Sequence, residues 1–196
     1  MVLLRDLNTE ISELAKQARQ SLVQIASGSG AGAGTIWHPD GLIVTNAHVA
    51  SHAPLRVTLS DGKTLEARVL SRNPSHDLAA LVVDAHHLPT IGIGESRSLK
   101  SGQWVLALGN PWGVAGAVTF GVVIGVGSDV LGASPANREW IAVGLHLRPG
   151  YSGGPLLDVQ GRLIGINTMM TAPNVGMAVP VHVVKSFLRK TLGSQK

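Results

Sequence analysis

Ser152 lies in Arg148-Pro149-Gly150-Tyr151-Ser152-Gly153-Gly154-Pro155-Leu156, among three glycines and two prolines. Glycine reaches backbone angles closed to other residues and lets a second chain approach closely. A serine on such a loop can present its hydroxyl beside several inward-pointing N–H groups, which is what an acyl-transfer nucleophile requires. A Gly/Pro-rich turn with an incidental serine gives the same string. The string also satisfies G-x-S-x-G, the mark of a different enzyme class. Where a base and its orienting carboxylate lie decides between these readings.

An α/β-hydrolase would place its acid and then its histidine after the serine, with a helix starting at the serine turn. The only histidine after Ser152 is His182, inside a predicted helix, and Pro155 stands where the nucleophile's helix should begin. That reading is disfavoured twice. Upstream, His48 ends a predicted strand in Val44-Thr45-Asn46-Ala47-His48-Val49, and Asp77 lies in His76-Asp77-Leu78-Ala79 at the edge of an apolar run. The order His, Asp, Ser is that of a trypsin-like double barrel. A cleft between two halves would bring His48 and Asp77 to Ser152.

The elements that must position these residues are short. Thr35–Trp37 and Leu42–Thr45 flank His38-Pro39-Asp40-Gly41, and Val57–Leu59 and Thr64–Leu70 flank Ser60-Asp61-Gly62-Lys63. Both read as hairpins. The glycines of Gly28 to Gly34 recur at every second position, which fits neither a dinucleotide fingerprint nor a P-loop. A strand end needing close backbone approach fits better. Leu7, Ile11, Leu14, Ala15, Ala18 and Leu22 predict an amphipathic helix, capped at Asn8 or Thr9, that packs on the body or on a neighbouring subunit. Ser128–Arg138 reads as an exposed loop.

The expected architecture is all-β, a double barrel with one helix at each end. Its parts are an N-terminal helix (1–22), a first barrel (23–93), a connector (94–103), a second barrel (104–180) and a C-terminal helix and tail (181–196). Apolar residues make up 44% of the 196 and charged residues 14%, enough for a packed core. A net charge of +4 without a dense Lys/Arg run makes nucleic acid a weak partner. The absence of cysteine rules out disulfides and thiolate zinc sites. No apolar run reaches the length of a membrane span. A cytoplasmic protein and an exported one whose leader is not part of this sequence both stay open. His48 and His52 stand at i, i+4 like zinc ligands, but Val49 is not the glutamate that motif needs and no third ligand is evident.

Thr45-Asn46-Ala47-His48-Val49, Asp77-Leu78-Ala79, Gly109-Asn110-Pro111, Gly150 to Leu156 and Gly165-Ile166-Asn167-Thr168, in that order, resemble the protease domain of the HtrA/Deg family. The resemblance runs from about Val23 to the C-terminal helix. It implies a trypsin-like serine endopeptidase of unfolded or misfolded proteins, without metal or cofactor, acting through His48, Asp77 and Ser152. The oxyanion hole would lie at Gly150, Tyr151 and Ser152, with the N–H groups of Gly150 and Ser152 as donors. The strand 164–170 would pair with substrate, making Ile166, Asn167 and Thr168 candidate substrate-binding residues with His146 and Leu147. The resemblance further implies small or medium aliphatic side chains at the cleavage site, and a homotrimer. Tyr151, Arg148 and Gly144 depart from the family pattern, where Asn, Asn and Asp are usual. Tyr151 is expected to pack against the barrel; the alternative is that it crowds the oxyanion hole and leaves a silent, peptide-binding protease fold.

Overall fold

The computed structural model describes residues 2–28, 30–128, 130 and 138–193. Helix α1 (Val2–Gln20) precedes six strands: β1 (Leu22–Ser27), β2 (Gly30–His38), β3 (Leu42–Thr45), β4 (Leu55–Thr58), β5 (Thr64–Asn73) and β6 (Leu78–Val83). They close into a barrel in the order β1-β2-β3-β6-β5-β4. Strands β7 (Trp104–Gly109), β8 (Ala117–Gly127), β9 (Trp140–Gly144), β10 (Pro155–Asp158), β11 (Leu163–Ala172) and β12 (Val175–Pro180) close a second barrel in the equivalent order. Helix α2 (Val181–Gly193) ends the described chain.

Period-two burial builds each barrel. In β4, Leu55 and Val57 face inward while Arg56 faces solvent, because successive strand side chains point to opposite sides. Ile25, Ile36, Ile43 and Leu81 fill the first barrel; Ile141, Leu156 and Ile164 fill the second. A third cluster lies between the barrels and under α2, joining Val44, Leu78, Leu108 and Ile166 to Val184, Phe187 and Leu188. Fully burying one such side chain is worth about 1.5–3 kcal/mol, so this shared core holds the two barrels in a fixed relation. The cleft between them inherits that rigidity.

The N-terminal helix starts earlier than its expected cap. Asn8 and Thr9 are exposed positions inside α1, which already runs from Val2. Its apolar stripe faces its own body: Ile11 and Ala18 join the central cluster, and the Arg19 Nε–H donates to the Gly116 carbonyl at 2.7 Å. The segment before β7 is held on the edge of β11, where Gly94 donates to the Leu163 carbonyl and the Leu163 N–H to that of Gly92. Most of the predicted loop 128–138 falls outside the described residues.

Candidate active site

His48 follows β3 in a tight turn closed by the Ala50 N–H on the Asn46 carbonyl at 3.2 Å. Arg72 of β5 fixes the same turn by donating to the Ala47 carbonyl at 2.8 Å. Asp77 enters β6 with φ 51°, in the left-handed region that Asp tolerates better than most residues. Asn46, fully buried, donates through Nδ2 to the Asp77 carbonyl at 2.9 Å and holds that bend. The His48 Nδ1 then lies 2.8 and 3.0 Å from the two Asp77 carboxylate oxygens, and the His48 backbone N–H donates to Oδ1 at 3.1 Å. A carboxylate only accepts, so the proton is assigned to Nδ1 and Nε2 is left as the basic lone pair.

Thr168 completes the surroundings of Asp77 from the opposite barrel, its hydroxyl donating to Oδ2 at 2.6 Å. Burial acts to raise the Asp77 carboxyl, but the hydrogen bonds from His48 and Thr168, the His48 charge and the His48 amide outweigh it. The group is held below its ordinary value, so its carboxylate contributes stability above the carboxyl range and loses it as pH falls through the lowered folded value. Thr168→Val removes one of these donors. Its stability deficit relative to wild type is expected in full at neutral pH and to shrink as pH falls below the ordinary carboxyl range and through the lowered folded value. Urea unfolding at pH 7 and pH 3 reads this directly; a deficit independent of pH would show that the Thr168 hydroxyl does not act on the charge.

Ser152 sits on the loop between β9 and β10. Its carbonyl accepts from the Ala33 N–H of β2 at 2.8 Å, one of several bonds tying this loop to the first barrel. Gly32 in β2 explains the alternating glycines: a Cβ there would press on Val49 and on the Ser152 carbonyl. The Ser152 hydroxyl donates to the Thr168 carbonyl at 2.7 Å, and among the described residues it makes no bond to His48. Delivering its proton to Nε2 requires this bond to be exchanged for one to His48, and catalytic hydrogen bonds of unliganded sites commonly tighten only when substrate binds.

Gly150 has φ 104°, and its carbonyl accepts from the Asn110 N–H at 2.8 Å. Asn110 also donates from its side chain to the Val23 carbonyl at 3.1 Å, so Gly109-Asn110-Pro111 ties the Ser152 loop to the first barrel. The Tyr151 N–H, which lies between the two expected oxyanion-hole donors, donates to the Arg148 carbonyl at 3.0 Å. Among the described residues the N–H groups of Gly150 and Ser152 meet no acceptor. Tyr151 packs inward, 5% exposed, in the core of the second barrel against Gly109, where a Cβ would strike its ring. That burial raises its phenol above the ordinary value, with Arg148 pulling the other way. Arg148 itself lies over Trp112, its guanidinium carbon 4.6 Å from the ring centroid.

Two hollows meet at Ser152. One, of about 680 Å³, is bordered by Gly28, Ala31, His48, His52 and Gly150. The other, of about 690 Å³, runs along Thr168–Met170 between Leu147, Arg148 and Arg138. Leu147 and Thr168 therefore border the cleft. His146 does not: its exposed ring pairs through Nδ1 with Asn174 Oδ1 at 3.1 Å. The Ile166 side chain lies in the core, and the buried Asn167 side chain donates to the Pro155 and Leu108 carbonyls at 2.9 and 3.3 Å. The cleft edge of β11 opens only past Asn167, whose N–H donates to the Gly154 carbonyl and whose carbonyl accepts from the Gly153 N–H, both at 2.9 Å. Sequence reasoning missed Asn46, Arg72 and the Thr168 hydroxyl as partners of this site; of the three, Asn46 and Thr168 stood within quoted motifs, Thr168 as a substrate-binding candidate and not as a partner of Asp77.

A family model described as a trypsin-like peptidase domain matches residues 32–166. The chain belongs to that family. HhoB of Synechocystis sp. is 38% identical over 162 residues, covering 80% of this chain and 39% of that protein. The mitochondrial serine protease HTRA2 of Drosophila willistoni is 35% identical over 170 residues, covering 84% of this chain and 39% of that protein. The chain thus spans about two-fifths of the length of these curated relatives. Among solved structures, the HtrA-type protease AlgW with tripeptide superposes with a TM-score of 0.87 at 29% identity, covering 94% of this chain and 64% of that one. The AlgW structure with decapeptide gives 0.84 at 26% identity, covering 93% and 67%. The trypsin-like peptidase family and the HtrA-type relatives agree with the double barrel.

Proposed function

We propose that this chain is a serine endopeptidase domain of HtrA/Deg type that hydrolyses peptide bonds of unfolded or misfolded polypeptides through an acyl-enzyme. The observation that carries the reading is the bridge at Asp77, which orients His48 from one barrel while Thr168 of the other holds both the carboxylate and the Ser152 hydroxyl. Ser152 Oγ attacks the substrate carbonyl as His48 Nε2 takes its proton, and the resulting imidazolium is stabilised by Asp77. The tetrahedral oxyanion accepts from the Gly150 and Ser152 N–H groups, each worth about 3 kcal/mol to the transition state. His48 then gives the proton to the departing amine. Water repeats the sequence on the acyl-enzyme.

The resting direction of the Ser152 hydroxyl, toward Thr168 rather than His48, favours a second reading: a protease fold that binds peptides without cleaving them. A fluorophosphonate probe separates the two. Labelling of the wild type with none of Ser152→Ala is expected, and failure of both across pH 6 to 9, tested with and without peptide ligands, would leave only the silent module. We further propose polypeptides as partners and self-association into a homotrimer, as the family resemblance implies. Light scattering that gives a clean monomer mass removes the trimer.

A further inference from the structure

The chain has four methionines and no cysteine, so thioethers are the only sulfur that a peroxide can oxidise in it. Met1 lies outside the described residues. The other three differ steeply in access. Met169 is 44% exposed on β11, just past the point where pairing with β10 ends. Met170 beside it is half-buried, and Met177 of β12 is 4% exposed in the central cluster. Met169 and Met170 both line the hollow of about 690 Å³ that starts at Ser152, with Leu147 and Pro74 as further apolar wall. Their sulfurs also differ. Met170 Sδ accepts from the Leu147 N–H at 3.3 Å, which engages one of its lone pairs, whereas among the described residues Met169 Sδ accepts no hydrogen bond.

We propose that Met169 is an oxidation site through which hydrogen peroxide weakens the hold of this cleft on apolar substrate side chains. The inference rests on the proteolytic reading and names a regulation of that site. In the step, a lone pair of the Met169 sulfur attacks one peroxide oxygen, and the O–O bond breaks as the S–O bond forms. Sulfur gives up two electrons; the departing hydroxide takes the remaining proton and leaves as water. A flexible apolar thioether becomes a polar, chiral sulfoxide. A substrate side chain seated on that wall would cover the new oxygen without giving it a partner, which lowers affinity by about tenfold. The effect falls on binding and not on the chemical step. Thr168 holds Asp77 through its hydroxyl and Ser152 through its carbonyl, and neither bond uses the Met169 side chain.

The test has two arms. Wild-type enzyme is treated with graded hydrogen peroxide and quenched with free methionine. Each sample is read by peptide mass spectrometry, by cleavage of an apolar peptide and by fluorophosphonate labelling. Met169 is expected to gain its oxygen first, Met170 later and Met177 last. KM for the peptide should rise about tenfold as Met169 converts, with kcat and the labelling rate nearly constant, and methionine sulfoxide reductase should restore it. Met169→Leu, a swap of similar volume, should hold the KM of its own untreated sample at the same dose. Oxidation of Met170 or Met177 ahead of Met169, a KM that ignores Met169 conversion, or an equal peroxide effect in Met169→Leu overturns this inference and leaves the proteolytic one standing. Untreated enzyme that neither labels nor cleaves overturns the proteolytic reading itself. The second arm needs no turnover: Ser152→Ala is titrated with the same peptide before and after oxidation. Binding about tenfold weaker after oxidation supports the site, and unchanged or undetectable binding removes it.

Discussion

Asp77→Asn is expected to lower turnover by about four orders of magnitude, the loss seen when the orienting carboxylate of a Ser-His-Asp triad becomes an amide. The geometry gives the reason. Asp77 accepts from the His48 Nδ1–H, the His48 amide and the Thr168 hydroxyl, so both of its oxygens are in use as acceptors. An amide keeps one acceptor and introduces a donor. With that donor facing Nδ1, the imidazole proton moves to Nε2, and the lone pair that should take the Ser152 proton disappears. The fold has little reason to change, since Asn is close to isosteric and the Asp77 carbonyl still accepts from Asn46. Labelling rates with a fluorophosphonate, read beside circular dichroism, check this. A loss of less than tenfold with native spectra would mean that His48 is not the base.

Thr168→Val should act on the same centre more mildly. It deletes one of the donors to Asp77 and leaves the main-chain carbonyl that holds the Ser152 hydroxyl. A bond to a charged group is worth about 1.5–3 kcal/mol, so a loss of roughly ten- to a hundredfold is expected, well short of Asp77→Asn.

The gap between Thr168 and Asp77 also marks how far the sequence could be read. His48, Asp77 and Ser152 were legible because the chemistry restricts residue types and the double barrel restricts their order. The barrels were legible because strands such as β4 alternate inside and outside with their pleat. The Thr168 hydroxyl was not, since it meets Asp77 from 91 positions away through the closure of both barrels, and no local spacing encodes that meeting. His146 failed as a cleft residue for a related reason. It lies two residues beyond Gly144, the last of β9, where strand alternation no longer fixes direction, and its ring turns to Asn174. Asn167 looked like a polar group for substrate, yet its amide secures the Leu108 and Pro155 carbonyls inside the barrel. The start of α1 was misplaced because Asn8 and Thr9 are good caps that an exposed helix face also tolerates. Periodicity locates faces; it does not choose between two acceptable uses of one polar residue.

Gly153→Ala is expected to destabilise the fold by about 2–5 kcal/mol, although it adds a single methyl group beside the nucleophile. Gly153 has φ 87°, where an L side chain costs about 1–2 kcal/mol by itself. Its Cβ would also run into the Ala33 carbonyl and the Thr45 hydroxyl. Those two groups are bonded to each other at 2.7 Å, and the Gly153 carbonyl accepts from the Thr35 hydroxyl at 3.2 Å, so the methyl would pry apart the junction between β2, β3 and the Ser152 loop. Separating buried partners there adds about 1–3 kcal/mol. Gly62 provides the comparison: its φ is 88°, yet a Cβ there meets nothing within 4 Å. Gly62→Ala should therefore show the backbone cost alone, about 1–2 kcal/mol. Urea unfolding of both variants measures the difference between them. If the two lose the same stability, the close contact of the barrels at Gly153 contributes nothing, and the Ser152 loop is held in place by its hydrogen bonds to Ala33 and Asn110 instead.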